Sequence, residues 1–455
     1  MSKTASLSTL LASFSRQGKA LLRKYGLVGG LADGRDKSRT ATMDELANTL
    51  MSVRGEASGV AIASDLLSAY ADSTPDERTH FLTLLATRFG PDPATVDLAI
   101  ARYREEGEAA LLSLARAVEP PRQELLRRLN LAPGATAMLV QMRADLLARM
   151  KGDAGPFAAL DADFAHLFTS WFNRGFLTMQ AISWDSPASL LERVIRYEAV
   201  HDVEDWEDLR NRLGPEDRRC FAFFHPALPG EPLIFVEVAL TATMADNVQE
   251  ILRVDRPVLK ATEATTAIFY SLSNCQPGLK GIGFGHFLSK QVATDLQRSL
   301  PGLIQFATLS PAPGFCGWLR QADPRLAERL GEERWWAIDD ASLRDRLLAR
   351  AVDYFREART PSGRPVDSVA RFHLGNGAVL ERINWMGDTS PRGLKQSAGL
   401  MVNYLYDLAS IEENHEAFAH RGEVATGAPF NELAQTLAQA DTPQGKKPKK
   451  KTGAL

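Results

Sequence analysis

The spacing of apolar residues changes near residue 182, and this change constrains the possible fold more than any other feature of the chain. Before it, apolar positions recur about every 3.6 residues, as Leu139, Met142 and Leu146 do, which is typical of helices packed face to face. After it, short runs rich in β-branched and aromatic residues appear between helical runs. We therefore predict an all-helical bundle domain over residues 1–181 and an α/β domain with a mixed sheet over residues 182–430.

Capping residues mark helix starts in the first half. Thr74 and Glu77 bracket Pro75 in a capping-box pattern, with the proline at the first helical position. Asp92 and Pro93 form a similar N-terminal signal. These residues predict two helices, and nothing near them indicates chemistry.

The charge and cysteine content of the chain limit its partners. Its 455 residues carry a net charge of −3, so no overall field attracts nucleic acid or an anionic membrane. No apolar run reaches the roughly 18 residues that a membrane span needs. Three widely spaced cysteines, Cys220, Cys275 and Cys316, fit neither a disulfide framework nor a paired zinc pattern. We therefore expect no nucleic-acid, membrane or metal partner, and a reducing compartment.

Both ends of the chain are biased toward positive charge. The first 32 residues contain no Asp or Glu, which fits either a targeting leader or, as we favour, a solvated first helix. Residues 431–455 end in a lysine-rich run broken by proline, so we predict a basic disordered tail there. The last three residues do not form a peroxisomal address, and we expect a cytoplasmic location.

A strand–loop–helix–strand pattern dominates the second half. Residues Thr265–Ser273 and Leu303–Leu309 read as buried strands, and His286–Leu300 between them reads as an amphipathic helix. This order predicts a βαβ unit with parallel strands. An earlier pair of strands, Cys220–His225 and Leu233–Thr241, flanks a Pro- and Gly-rich connection typical of a hairpin.

The loop of the βαβ unit is rich in glycine. Its sequence, G-L-K-G-I-G-F-G-H over residues 278–286, lets the backbone approach a ligand closely, and the following helix directs its N-terminal amides toward it. The spacing matches neither the dinucleotide fingerprint nor the phosphate loop of nucleotide hydrolases. Packing alone also explains some glycine-rich turns. The alternative that we pursue is a site for an anion such as a diphosphate.

Two further residues are candidates for chemistry. Ser310 comes directly after the second strand of the βαβ unit and before a Pro-Ala-Pro-Gly turn, at the sheet edge where α/β proteins bind ligands. His373 lies in a run that we read as a strand, Val369–His373, paired with Ala378–Trp385 through a Gly-Asn-Gly hairpin. Each residue also has a purely structural explanation. In that case Ser310 only lies where a strand ends, and His373 is a histidine packed in the core.

Several motifs together resemble the malonyl-CoA decarboxylase family. The similarity is densest from Glu237 to Tyr406. It rests on the runs A-I-F-Y-S-L-S, L-K-G-I-G-F-G-H-F-L, T-L-S-P-A-P-G-F-C-G-W-L, F-H-L-G-N-G-A-V-L-E-R-I-N-W-M-G-D and G-L-M-V-N-Y-L-Y. The pair L-S-P-x-P-G-F and H-L-x-N-G-A-V-L-x-R-I-N-W is highly specific.

The resemblance implies a fold and a set of site residues. The fold is a helical N-terminal domain used in oligomer contacts, joined to a catalytic domain of the GNAT acyltransferase type. Ser310 and His373 fall on the family's catalytic pair, and Tyr406 on an active-site tyrosine. Acyl-CoA binding falls on the loop residues Lys280, Gly281, Ile282, Gly283, Phe284, Gly285 and His286. Some family members have Glu where this chain has Gly283, so a role for that acid does not carry over.

The implied reaction converts malonyl-CoA to acetyl-CoA and CO2. No metal or organic cofactor is expected, because the thioester carbonyl is itself the electron sink. We expect His373 to protonate the carbanion, with its usual pKa near 6.5, and Ser310 to bind the malonyl end. Apolar residues around Phe315 and Trp318 are expected to exclude water.

Two other functions remain open at the level of sequence. An acyltransferase with the same CoA loop would need an acceptor amine, and a non-catalytic acyl-CoA sensor would bind without turnover. In each case the partner is a small acyl-CoA, and the chain is expected to form a homo-oligomer, either a dimer or a tetramer.

Overall fold

The computed structural model describes residues 39–152, 154–283 and 288–440. Predictions about the first 32 residues and about residues 441–455 lie outside these ranges. None of the helices within them is long and apolar enough to cross a membrane.

The first part of the described chain is helical, as predicted. Thr74 caps a helix with both bonds of a capping box, and Asp92 caps the next through its carboxylate. The helices are α1 Arg39–Ser52, α2 Glu56–Ala71, α3 Pro75–Thr87, α4 Pro93–Glu106, α5 Leu111–Val118, α6 Pro121–Leu129, α7 Ala135–Arg149 and α8 Phe157–Trp171.

The apolar stripe of α7 faces the core of the helical part. Leu139, Met142 and Leu146 are completely buried. A buried leucine or methionine contributes about 1.5–3 kcal/mol relative to an exposed one. The helical period read from the sequence is therefore confirmed as a packing pattern.

The second part contains a mixed sheet. The strands are β1 Thr178–Ile182, β2 Arg218–Phe224, β3 Pro232–Thr241, β4 Thr266–Asn274, β5 Gln305–Thr308, β6 Ser310–Pro311, β7 Val379–Asn384 and β8 Met401–Leu405. Neighbouring strands are hydrogen-bonded in the order β1-β2-β3-β4-β5-β8-β6, and β7 also pairs with β8. The predicted hairpin connection between β2 and β3 is confirmed.

Helices lie between and after these strands along the chain. They are α9 Ala188–Tyr197, α10 Trp206–Leu213, α11 Val248–Leu252, α12 Leu288–Ser299, α13 Phe315–Ala322, α14 Pro324–Arg329, α15 Ala341–Arg356, α16 Ser368–Gly375, α17 Pro391–Ser397, α18 Ile411–Arg421 and α19 Ala428–Ala440. The predicted order of a helical part followed by a mixed-sheet part is confirmed.

The βαβ unit is built as the sequence predicts. Strands β4 and β5 are parallel, with Thr266 opposite Gln305, and α12 lies between them in the chain. Ile268 and Tyr270 of β4 and Ala307 of β5 contribute to one buried core cluster. The unit is thus fixed by apolar burial on both of its strands.

The predicted strand Val369–His373 is wrong, because these residues lie in helix α16. The carboxylate of Asp367 accepts hydrogen bonds from the amides of Val369 and Ala370, at 2.9 and 2.8 Å, and so starts the helix. The run that looked like a strand also buries Ala370, His373 and Leu374, which share a helical face. The partner of β7 is therefore β8 and not the preceding residues.

The predicted start of the tail is also wrong. Residues 431–440 belong to α19, which the sequence analysis placed in the disordered tail. Phe430 and Ala434, one helical turn apart, are both buried, and the guanidinium of Arg356 lies 6.0 Å from the ring centre of Phe430. Apolar burial therefore stabilises a helix up to Ala440.

The chain divides into two compact units. The first takes the residues up to Thr178 together with Phe223–Leu233 and Asn274–Phe284, and the second takes the remainder. The hairpin connection and the glycine loop therefore group with the helices. A boundary drawn along the sequence, such as the predicted one at residue 181, does not capture this grouping.

Candidate active site

Ser310 is held by a short pairing at the end of the βαβ unit. It lies in β6, which pairs antiparallel with β8, so that Ser310 is opposite Val402. Its Oγ donates a hydrogen bond to Oγ1 of Thr308 over 2.9 Å. Only 6% of the residue is exposed. The pairing with β8, and not the proline turn alone, fixes the direction of the hydroxyl.

His373 reaches Ser310 from the last turn of α16. Its Nε2 lies 3.2 Å from Oγ of Ser310. The imidazole ring stacks on the ring of Tyr404, with ring centres 4.8 Å apart. The helix end and the stacked tyrosine together hold the imidazole in one orientation.

Tyr406 contacts the far side of the same imidazole. Its Oη lies 2.8 Å from Nδ1 of His373. Burial raises the pKa of Tyr406, and the polar side chains of Ser289 and Asn376 act in the opposite direction. We assign the proton of the Tyr406 hydroxyl to the bond with Nδ1, because a neutral phenol is a stronger proton donor than a neutral imidazole, and this leaves the imidazole hydrogen on Nε2.

Burial shifts both His373 and Tyr406 toward their neutral forms. It lowers the pKa of His373 to about 3 and raises the pKa of Tyr406 to about 12. Both groups are uncharged near pH 7. The expectation of an ordinary pKa for His373 is therefore wrong, because desolvation penalises the imidazolium.

Ser310 and His373 face a small cavity of about 180 Å³. Ser289, near the start of α12, and Ser368, the first residue of α16, add further polar residues to its wall. The apolar part of the wall comes from Val200, Phe269, Leu272, Pro311, Val369 and Phe372. The cavity is the right kind of site for a short acyl group with polar atoms at one end.

The aromatic residues predicted to exclude water lie elsewhere. Phe315 and Trp318, on α13, pack against Tyr354, with ring centres 5.6 and 5.2 Å from it. Neither lines the cavity. Exclusion of water from the cavity falls instead to the side chains of Phe269 and Phe372.

A buried acid that the sequence analysis missed shapes one wall. Glu198 accepts hydrogen bonds from the amide of Val200 and from the next amide, at 2.7 and 2.8 Å. Its Oε2 also accepts from the hydroxyls of Ser271 and Ser273, at 2.7 and 3.2 Å, while Arg212 donates to two carbonyls of the same segment. The available signal was the S-x-S pattern in a buried strand, which places both hydroxyls on one face.

The described part of the glycine loop belongs to the first unit, and the loop residues Phe284, Gly285 and His286 lie outside the described residues. In the described part, the amides of Lys280 and Ile282 already donate to carbonyls within the loop, at 3.2 and 3.0 Å. Gly281 has a φ of 80°, which favours glycine. Lys280, Gly281 and Gly283 are exposed. Among the described residues, no group of His, Cys, Asp or Glu could hold a metal ion.

Two family models match consecutive stretches of the chain. The malonyl-CoA decarboxylase N-terminal domain matches residues 89–172, and the C-terminal domain of the same family matches residues 175–445. Among curated relatives, a mitochondrial malonyl-CoA decarboxylase from Anser anser anser is 35% identical over 75% of this chain and 76% of its own length. One from Mus musculus is 33% identical over 77% and 80%.

Solved structures are similar over most of the chain. A crystal structure of malonyl-CoA decarboxylase from Rhodopseudomonas palustris has 49% identity and a TM-score of 0.82, over 88% of this chain and 100% of that one. The corresponding protein from Agrobacterium vitis has 50% identity and a TM-score of 0.80, over 86% and 99%.

The fold, the buried Ser–His contact and these matches define an enzyme of the decarboxylase class. More particularly, the chain belongs to the malonyl-CoA decarboxylase family. The resemblance drawn from its motifs is confirmed.

Proposed function

We propose that this chain decarboxylates malonyl-CoA to acetyl-CoA and CO2 through Ser310 and His373, without a metal or an organic cofactor. The observation that carries the proposal is the continuous contact from Ser310 through His373 to Tyr406 at a small, largely apolar cavity. Membership in the family supplies the substrate class. The cytoplasmic location and the homo-oligomer remain predictions.

The substrate would be held at two places. The malonyl group fits the cavity, with Ser310 as a hydrogen-bond donor to its carboxylate or carbonyl oxygens. We assign the CoA diphosphate to the loop, specifically to the amides of Gly281 and Gly283 and the ammonium group of Lys280. The amides of Lys280 and Ile282 already donate within the turn.

Breaking the carbon–carbon bond sends its electron pair into the thioester carbonyl and releases CO2. The resulting enolate carries its charge on the former carbonyl oxygen, where a positioned donor is worth roughly 10²- to 10³-fold in rate. Because apolar side chains line much of the cavity, a charged carboxylate is poorly solvated there. Loss of CO2 moves this charge from the carboxylate to the enolate oxygen, where a hydrogen-bond donor can stabilise it.

The proton that completes acetyl-CoA would reach carbon through neutral groups. The Ser310 hydroxyl donates to the carbanion, Nε2–H of His373 donates to the serine oxygen, and the Tyr406 hydroxyl donates to Nδ1. At the end of this relay the carbon holds one more hydrogen, the histidine is again neutral, and Tyr406 is a phenolate. The polar side chains of Ser289 and Asn376 favour that phenolate. The starting state is restored when a solvent proton reaches Nε2 and the Nδ1 proton returns to Tyr406.

The test is turnover without any acceptor. Purified protein is incubated with malonyl-CoA and EDTA, and acetyl-CoA and CO2 are measured for the parent chain, Ser310→Ala, His373→Gln and the exposed control His80→Gln. We expect stoichiometric products from the parent chain and the control, and a loss of roughly 10²- to 10⁴-fold in both site variants. Binding without products, or products only with an added amine, would refute the proposal in favour of a sensor or a transferase.

A further inference from the structure

The glycine loop is attached to the helical bundle by one buried arginine. Arg143 lies on α7, and its Nη1 donates to the carbonyl of Gly278 over 2.8 Å and to the carbonyl of Lys280 over 2.9 Å. Its Nε donates to Oδ1 of Asp161 on α8, also over 2.8 Å. Only 4% of the Arg143 side chain is exposed. One guanidinium thus joins two helices of the bundle to two peptide groups of the loop.

The loop also packs directly on the backbone of α7. A Cβ built on Gly278 would lie 1.9 Å from the carbonyl oxygen of Val140, so no side chain fits at this position. The amide of Leu279 donates to the carbonyl of Gln276 in the preceding turn. The first half of the loop therefore has little freedom, and its position follows that of α7.

We propose that Arg143 is a positioning residue for acyl-CoA binding, which it promotes by orienting the glycine loop. The inference rests on the proposed function, in which this loop binds the CoA diphosphate. A trans peptide group is planar, with its carbonyl and its N–H pointing in opposite directions. When Arg143 binds the carbonyl of Lys280, it turns the N–H of Gly281 away from α7. That amide is one of the two assigned to the diphosphate.

The arginine is also suited to this role by its charge. A buried guanidinium is costly unless its donors are used, and here they are used on Asp161 and on two carbonyls. Its charge, close behind the loop, also favours an anion on the exposed side. The helical bundle would then contribute directly to substrate affinity.

A second buried arginine provides a matched control. Arg122, on α6, pairs with Asp163 of α8 and donates to the carbonyl of Ala86. It is about as buried as Arg143. Within the described residues, however, its side chain bonds to Asp163 and Ala86 of the bundle. Replacing Arg122 therefore perturbs the bundle but leaves the hydrogen bonds between Arg143 and the glycine loop in place.

The experiment compares two substrates in Arg143→Gln, Arg143→Lys and Arg122→Gln. Malonyl-CoA carries the diphosphate, whereas malonyl-pantetheine has the same thioester without it. We expect Arg143→Gln to raise KM for malonyl-CoA about 10-fold or more, on the scale of one charge-assisted hydrogen bond, with little change in kcat. The kcat/KM for malonyl-pantetheine should stay within about 2-fold. Arg143→Lys keeps the charge but lacks the planar fork of donors, so its KM for malonyl-CoA should fall between those of the parent chain and Arg143→Gln.

The outcomes separate this inference from the proposed function. A selective loss for malonyl-CoA in the Arg143 variants, and not in Arg122→Gln, supports the positioning role. Parallel losses for both substrates, or no loss in either Arg143 variant, would overturn it. If the parent chain itself does not prefer malonyl-CoA, the loop assignment fails and the inference with it, while the Ser310 and His373 chemistry is tested independently by product formation.

Discussion

Buried polar groups are organised differently in the helical part and at the cavity. In the helical part they are charged and paired: Arg122 contacts Asp163, and Tyr70 donates to the carboxylate of Asp145 over 2.9 Å. At the cavity, Ser310, His373 and Tyr406 form a line of groups that are neutral near pH 7.

This difference indicates what each region is built to do. A buried ion pair fixes the relative position of two helices, because separating the partners leaves each charge buried without compensation. A line of neutral donors and acceptors can pass a proton along without creating an isolated charge at any intermediate position. The helical part therefore uses polar groups for position, and the cavity uses them for proton transfer.

The largest loss of stability is expected when the buried ion pair of the helical part is broken at Arg122. Arg122→Ala leaves Asp163 as a buried, unpaired charge, which should lower the free energy of unfolding by about 3–5 kcal/mol. Urea unfolding measures this loss. The matched control is Arg102→Ala, which removes an exposed pair with Glu106 and should change little. Equal losses in the two variants would show that the buried pair does not stabilise the helical part more than the exposed pair does.

A smaller but more selective effect is expected from two tyrosine substitutions. Tyr406→Phe removes the donor to Nδ1 of His373, so kcat should fall by roughly 10²-fold, the low end for an acid–base group. Tyr70→Phe removes the hydroxyl that bonds to Asp145, so it should cost about 1–3 kcal/mol of stability and leave kcat unchanged. Steady-state kinetics and urea unfolding on both variants separate the two roles. A normal kcat in Tyr406→Phe would exclude the tyrosine from the relay.

Sequence patterns predicted the parts of this molecule whose signals are local. The βαβ unit, the capping box at Thr74 and the serine before the proline turn depend on residues within a few positions of one another. The helix carrying His373 was misread because its apolar spacing fits both a strand and a helix. The decisive cap, Asp367, lies just outside the run that was read as a strand.

Other features could not be predicted because their partners are far apart in the chain. Glu198 and Ser271 are 73 positions apart, and Arg143 and Gly278 are 135 apart. Nor does the sequence reveal how deeply an imidazole is buried, which is what lowers the pKa of His373 to about 3. These properties follow from packing and not from any local pattern.

His373 is neutral in its buried position, and the pH dependence of kcat shows whether the catalytic donor is neutral or charged. An imidazolium donor with an ordinary pKa near 6.5 would lose its proton as pH rises, and kcat would then fall about tenfold per unit above that value. With a pKa of about 3, His373 is neutral throughout the range from about pH 5.5 to 8.5. We therefore predict that kcat stays level across that range. The opposite result is a decline of kcat that begins near pH 6.5 in the parent chain and is absent in His373→Gln, and it would show that His373 acts as an imidazolium.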